Sequence, residues 1–477
     1  MTSSTALGLR SERGPVLLAL MVTTGLIAID ATILATAIPT ITRDLGGFSS
    51  FPWLFSIYLL AQAVAVPIYS KLADVVGRKP IILIGIGLFL LGSVLCGLAW
   101  SMPALIAFRA IQGLGAGAVQ PMGITIAGDI YTVAERAKTQ GYLAAVWGVS
   151  SVVGPTLGGI FAALDAWRWI FFVNVPLGLL AAVLIIRNFH EVIEKREHKV
   201  DYLGAVLLTI ALSLIILALL EGGQAWAWTS WQSIGAFAVG ALALVLFVLA
   251  ERRAAEPVLP LWVLSRRLLL TTSLIGFGVG AVIIGLTSYV PTYLEGSLGV
   301  SPLIAGFALA ALTLGWPLSA GFSGRLYLRY GFRNTVLTGM VFVLLGAGLI
   351  AAFAPWPSVL VVALSCFAIG LGMGLTASSS VIAAQASVPW NERGVVTGTG
   401  QFARSIGSAV GVAIFGAIAN SIFGPAPVGV SSLVAGSSAV FIAVAIAGLF
   451  VLAAALSMPR TPVAQVEAEA EVEAAAA

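Results

Sequence analysis

The sequence predicts an all-α integral membrane protein with fourteen transmembrane helices. They are arranged as two six-helix halves with two further helices inserted between them, and both termini are expected in the cytoplasm. Three observations predict this. The chain is 59% hydrophobic and only 9% charged, with a mean hydropathy of +1.05. A soluble domain carries about 25% charged residues, and so little charge does not cover a water-facing surface. The chain also divides into runs of the roughly 20 apolar residues that a helical span needs, too long for barrel strands, the other backbone-satisfying solution in lipid. Finally, Lys and Arg fall almost wholly on one side of the resulting topology.

In order, the runs are 15–38, 53–71, 80–99, 103–126, 140–162, 168–187, 202–221, 231–250, 268–292, 302–322, 334–354, 357–383, 395–420 and 434–457. The first follows Arg10 and Arg13 but is long, contains Asp30 and lacks an Ala-x-Ala site, so it reads as a span and not a cleaved signal. With the N-terminus inside, basic residues from Arg10 through Lys71, Arg78, Lys79, Arg136, Lys138, Arg325, Arg329 and Arg333 to Arg460 are cytoplasmic. The exterior holds Arg43, with Arg168 at an outer span end, and only Arg109 and Arg404 lie within spans. One missed or extra helix would put basic loops on both sides. Trp226, Trp228 and Trp231 cluster between the seventh and eighth runs, as interfacial aromatics do.

A weak repeat ties the halves together. Lys71-Leu72 through Gly77-Arg78-Lys79, after the second run, matches Arg325-Leu326 through Gly331-Phe332-Arg333, after the tenth. The spacing predicts an N-terminal half over 1–200, two inserted helices over 201–257, a C-terminal half over 258–457 and a disordered cytoplasmic tail over 458–477, which is rich in Ala and Glu. Parallel repeats of this kind characterise one large transporter class. Residues 188–201 form a mixed-charge loop, read as a solvated linker.

Several function classes lose their parts. None of the five lysines follows a glycine, so no Walker-type loop can hold a nucleotide. The basic excess sits in short loops and is no nucleic-acid signal. Cys96 and Cys366 lie in separate runs, and His190 and His198 share one loop, so no metal cluster is expected. No cofactor and no enzymatic chemistry are expected.

Asp30 is the one carboxylate well inside an apolar run. A charge at the bilayer centre costs about 2.5–3.5 kcal/mol, and such residues face a cavity or a partner. Asp30 lies about nine residues, or ~13 Å, from the outer end of its run, and Arg109 about six residues, or ~9 Å, from the outer start of the fourth. Burial favours a protonated carboxyl and a nearby guanidinium favours the ionised form, so a carboxylate held between the two can exchange a proton. Gln112, one turn beyond Arg109, is a polar neighbour. The alternative reading is a static pair that fixes helix packing. Tyr58 and Tyr289 are candidates for an aromatic cavity wall.

Four blocks resemble the major facilitator superfamily, in particular its fourteen-span drug:proton antiporters. They are Asp30-Ala31-Thr32 through Pro39; Lys71–Lys79; Arg109-Ala110-Ile111-Gln112-Gly113 through Gly117; and Gly154-Pro155-Thr156-Leu157-Gly158-Gly159, followed by Trp167 through Pro176. The resemblance implies that Asp30, Arg109 and Gln112 couple protons to substrate. It implies that Asp74, Gly77, Arg78 and Lys79 form a gating loop that latches one access state against the other half. It makes Gly154, Pro155, Gly158 and Gly159 the antiporter motif, with a packing and hinge role. Ser70, Val75 and Ser150 depart from the family pattern, and Leu328 stands in the second half where Asp74 stands in the first. The implied function is proton-coupled antiport of lipophilic, monocationic drugs or toxic compounds across a bacterial inner membrane, by a monomer whose partners are protons, the bilayer and a small-molecule substrate. Export of a specific metabolite, lipid or siderophore is the alternative, and an importer is the more distant rival. The lack of an N-x-Ser/Thr sequon accords with the bacterial location.

Overall fold

The computed structural model describes residues 11–46, 53–191, 201–223, 226–254, 257, 262–423 and 429–460. The helices are α1 (Gly14–Leu45), α2 (Trp53–Val76), α3 (Arg78–Gly97), α4 (Met102–Ile130), α5 (Val133–Ala163), α6 (Trp169–Phe172), α7 (Asn174–Asn188), α8 (Tyr202–Glu221), α9 (Trp231–Glu251), α10 (Trp262–Ser265), α11 (Arg267–Leu298), α12 (Pro302–Tyr330), α13 (Phe332–Phe353), α14 (Val359–Ala386), α15 (Arg393–Phe423) and α16 (Val430–Ser457). Thirteen are long and apolar enough to cross a membrane, counting α6 and α7 as one, and the shorter apolar stretch Leu203–Leu219 of α8 makes the fourteenth. Each expected run is therefore a helix. Among the described residues no strand forms, beyond one isolated bridge between Gly222 and Trp226. The expected tail lies almost wholly outside the described residues.

Local chemistry sets the ends. The Ser101 side chain accepts the Ala104 N–H to start α4, and Asp201 accepts the Gly204 N–H to start α8. The sixth run divides at Val173. Pro176 has no N–H to give the carbonyl of residue 172, so the helix restarts at Asn174.

Helices α1 to α7 pack mainly on one another, and so do α11 to α16, while α8 and α9 pair together with α8 lying against α2 and α15. The two groups meet where α2 faces α15 and α5 faces α12. The sequence repeat is visible in the backbone. Gly77 precedes α3 with φ 99° and Gly331 precedes α13 with φ 81°, a region open to glycine and costly for other residues. The close contacts are also paired. Ser70 of α2 lies against Gly398 of α15, and Gly324 of α12 lies against Ala137 of α5, so each interface places one small residue against another and lets the backbones approach.

Candidate functional site

The first cluster is a closed polar knot. Asp30 is 1% exposed and Arg109 is 1% exposed. One Asp30 oxygen accepts from Arg109 at 2.8 Å, and the other accepts from Gln112 at 2.7 Å and from the Asn174 amide at 2.9 Å. Arg109 also donates to the Gln112 side-chain oxygen at 2.6 Å and to the Leu54 carbonyl at 3.2 Å, and lies 4.2 Å from the centre of the Tyr58 ring. Ser93 accepts from Gln112 at 2.9 Å and from Asn174 at 3.3 Å. Helices α1, α3, α4 and α7 all contribute. Glycines let them converge: a Cβ on Gly92 would lie 2.6 Å from the Gln112 backbone, and one on Gly113 would lie 2.5 Å from the Tyr58 carbonyl.

Asp30, Arg109 and Gln112 are thus brought together. Asn174 and Ser93 are the members that sequence reasoning missed. Their signal was a polar residue inside an apolar run, and for Asn174 the proline two residues on.

The second cluster joins the two helix groups. Asp74 accepts the backbone N–H of Gly394 at 3.0 Å and of Val395 at 2.7 Å, in the first turn of α15. These are among the N–H groups that a helix start leaves without an internal partner. Arg78 is fully buried and reaches Asp74 at 2.8 Å, Asp129 at 3.1 Å and Glu191 at 3.8 Å. It donates to the Trp390 carbonyl at 2.6 Å and lies 3.7 Å from that ring's centre. Arg393 reaches back to Asp129 at 3.3 Å. Hydrogen bonds between the groups continue through Gln385 to the Ile124 carbonyl and Tyr327 to the Val133 carbonyl as far as the Ser151–Thr313 hydroxyl pair near mid-helix.

Some expectations need correction. Lys79 takes no part in this cluster: its ammonium donates to the Ile186 carbonyl within its own half. The 188–201 segment is not simply a solvated linker, because Glu191 accepts the N–H of Arg78 and of Lys79 at 3.0 Å each and so caps α3; residues 192–200 lie outside the described residues. In the antiporter motif, a Cβ on Gly154 would collide with the Thr32 hydroxyl, so that glycine sets the approach of α1 and α5, and Gly158 is buried. A Cβ on Gly159 meets nothing within 4 Å, so Gly159 has no packing role of that kind. Helix α5 runs unbroken through position 155. Leu328, the counterpart of Asp74, is 50% exposed, and Tyr327 beside it makes the contact instead.

Between the groups lies a cavity of about 210 Å³. Ile27, Ala31, Leu59 and Trp147 line one side, Gln62 and Gln120 hydrogen-bond to each other at 2.6 Å in its wall, and Arg404 with its α15 neighbours lines the other. Tyr58 lines it, with a buried hydroxyl that has no hydrogen-bond partner. Tyr289 does not: it packs half-buried against the core of α11 to α16. Asp30 stands one layer behind the wall that Ile27, Ala31 and Tyr58 form, and no carboxylate is among the described lining residues. So placed, Asp30 does not face the space of the cavity. At the opposite end from the Asp74 cluster, the Arg168 guanidinium and the Trp167 indole hold the Asp44 carboxyl below the usual carboxylate range.

A two-group helical bundle around a central, mostly apolar cavity, with a buried ion pair beside it, is the architecture of a membrane transporter. The chain belongs to the Major Facilitator Superfamily, whose model matches residues 20–412. It is 36% identical over 415 residues to the multidrug transporter protein MdtP of Bacillus subtilis, covering 87% of this chain and 76% of that one. It is 36% identical to multidrug resistance protein 3 of the same organism, over 83% of this chain and 77% of the relative, and 32% identical to the efflux pump FUS6 of Gibberella fujikuroi, over 85% and 75%. Among solved structures it resembles the human organic anion transporter MFSD10 (TM-score 0.68, 15% identity, 93% of this chain and 99% of that one). It also resembles a bacterial homologue of the iron transporter ferroportin in an outward-facing state (TM-score 0.65, 11% identity, 93% and 99%). At these identities the last two speak for the fold alone.

Proposed function

We propose that the protein is a proton-coupled secondary exporter of amphipathic small molecules, in which Asp30 takes up and releases the proton and the central cavity holds the substrate. The observation that carries this reading is the Asp30–Arg109 pair, buried and held by Gln112 and Asn174. A buried ion pair gains little over apolar packing, and breaking it by removing one charge costs far more. Protonation of Asp30 is such a removal. It leaves Arg109 with the Leu54 carbonyl, Gln112 and the Tyr58 ring, and it loosens α1 from α4. Helix α1 packs on α5, and α5 forms half of the α5–α12 contact between the groups, so the change has a route to the gate.

The surrounding motifs take complementary roles. Asp74, Gly77 and Arg78 latch the end that the positive-inside pattern assigns to the cytoplasm, with both termini on that side. The state described is then outward-facing, and the proton arrives from outside. Gly154 and Gly158 keep α5 close to its neighbours as the halves move. Relatives named as multidrug transporters and efflux pumps support export of foreign compounds, and those from Bacillus support a bacterial cell membrane. The protein acts as a monomer.

The test is transport in proteoliposomes with an imposed pH gradient. The wild type concentrates a fluorescent amphiphile against its own gradient and stops when the pH gradient is collapsed. The near-isosteric Asp30→Asn variant folds but does not concentrate it. Undiminished gradient-driven uptake by that variant would sink the assignment.

A further inference from the structure

We infer that Arg404 is the anchor for an anionic group on the substrate, so that the cavity selects amphipathic carboxylates, including zwitterions, over neutral and cationic analogues. This deepens the reading above and rests on it for the cavity's role in transport.

Arg404 lies well inside α15, one of the costliest places for a charge. Its guanidinium faces the central cavity and also a smaller one of about 50 Å³ lined by Thr272, Ser380 and Thr397. Two other buried arginines carry built-in acids: Arg109 has Asp30, and Arg78 has Asp74, Asp129 and Glu191. Among the described residues Arg404 has no ion pair, and its guanidinium carbon lies 5.8 Å from the centre of the Trp316 ring. Its position is fixed nonetheless. A Cβ on Gly280 of α11 would run into the Arg404 carbonyl, so the two backbones touch there, and Ser408, one turn on, donates to the Gly280 carbonyl at 3.1 Å.

The charge count follows. Asp30 and Arg109 cancel behind the wall, and the cavity itself carries one positive group and no negative one. A guanidinium presents paired N–H donors that match a carboxylate, and Ile27, Leu59 and Val412 offer an apolar surface for the rest of the molecule. A cation entering the same space meets a like charge and no counter-charge. Because Asp30 is outside the cavity, proton and substrate do not compete for one group, and coupling passes through the helices. Exchange of one entering proton for one leaving monoanion moves charge in a single electrical sense, so an inside-negative potential also drives it.

The experiment is equilibrium binding to the full-length protein in lipid nanodiscs, with empty nanodiscs subtracted. The probes are a dansyl-labelled undecanoate, its methyl ester and the equal-length dansyl-labelled alkylammonium. The wild type binds the carboxylate about tenfold more tightly than the ester and the ammonium more weakly than the ester. Arg404→Gln equalises carboxylate and ester while leaving the ester's affinity in place, which also shows that the variant is folded. Arg404→Lys retains a reduced preference for the carboxylate. Equal binding of the three probes by the wild type, or a carboxylate preference that survives Arg404→Gln, overturns the inference. If Arg404→Gln does not fold, the wild-type order and Arg404→Lys decide alone. No proton gradient is used, so loss of gradient-driven export with an intact carboxylate preference refutes the coupling and leaves the anion site standing.

Discussion

Asp74→Asn is expected to release the proposed latch and shift the protein toward the state open at the latch end. The wild-type carboxylate accepts two backbone N–H groups in the first turn of α15, at 3.0 and 2.7 Å, and pairs with Arg78 at 2.8 Å, all with about 5% of its side chain exposed. The amide keeps the shape but presents one oxygen where the acid presents two. One hydrogen bond to a charged group is lost, worth about 1.5–3 kcal/mol, together with the charge at the helix N-terminus, worth about 0.3–1 kcal/mol and more when buried. Asp129 and Glu191 still face Arg78 and soften the loss of its partner. A net of about 3 kcal/mol changes the ratio of access states roughly 150-fold. The assay is electron–electron distance measurement between spin labels at Val76 and Tyr330, exposed residues at the latch end of α2 and α12. Cys96 and Cys366 are buried and stay unlabelled. The wild type gives mainly the short distance and Asp74→Asn mainly the long one. Identical distance distributions would refute the latch.

Two glycines of one motif are expected to separate. Gly154→Ala drives a methyl into the Thr32 hydroxyl and should lower both melting temperature and transport, with a cost of about 1–3 kcal/mol from overpacking. Gly159→Ala places its methyl in open space and should leave both unchanged or raise stability slightly through better helix propensity, by about 0.5–1 kcal/mol.

Much of this was legible in the sequence, for physical reasons that also mark where legibility ends. A carboxylate within an apolar run is costly enough to announce itself, and Asp30 led to Arg109 and Gln112 by depth and spacing alone. Asn174 and Ser93 are cheaper to bury than a charge, so their signal, a polar residue inside an apolar run, is weak. Their role depends on the helix restart before Pro176 and on the close approach of α3 and α4. Asp74 was singled out by resemblance, but its partners are backbone N–H groups, which every sequence has. Tyr289 was assigned to the cavity although the wall residue on the same helix is Ile284. Five residues at about 100° each put the two roughly 140° apart around α11, and span boundaries alone do not fix that angle. The same angular step separates Gly158, which is buried, from Gly159, which is open. The place of Asp30 behind the cavity wall was not legible, because Asp30 is deep in the membrane and depth is all that hydropathy reports.

The most direct test of the central claim, that Asp30 exchanges the coupled proton, is proton release on substrate binding by purified protein in weakly buffered solution. A substrate that favours the ionised Asp30–Arg109 state displaces the proton from a protonated fraction of the wild type, up to about one proton per site. Release appears in the wild type and is absent from Asp30→Asn at every pH, although that variant still binds the substrate. Equal release from wild type and Asp30→Asn would place the proton on another group and contradict the account.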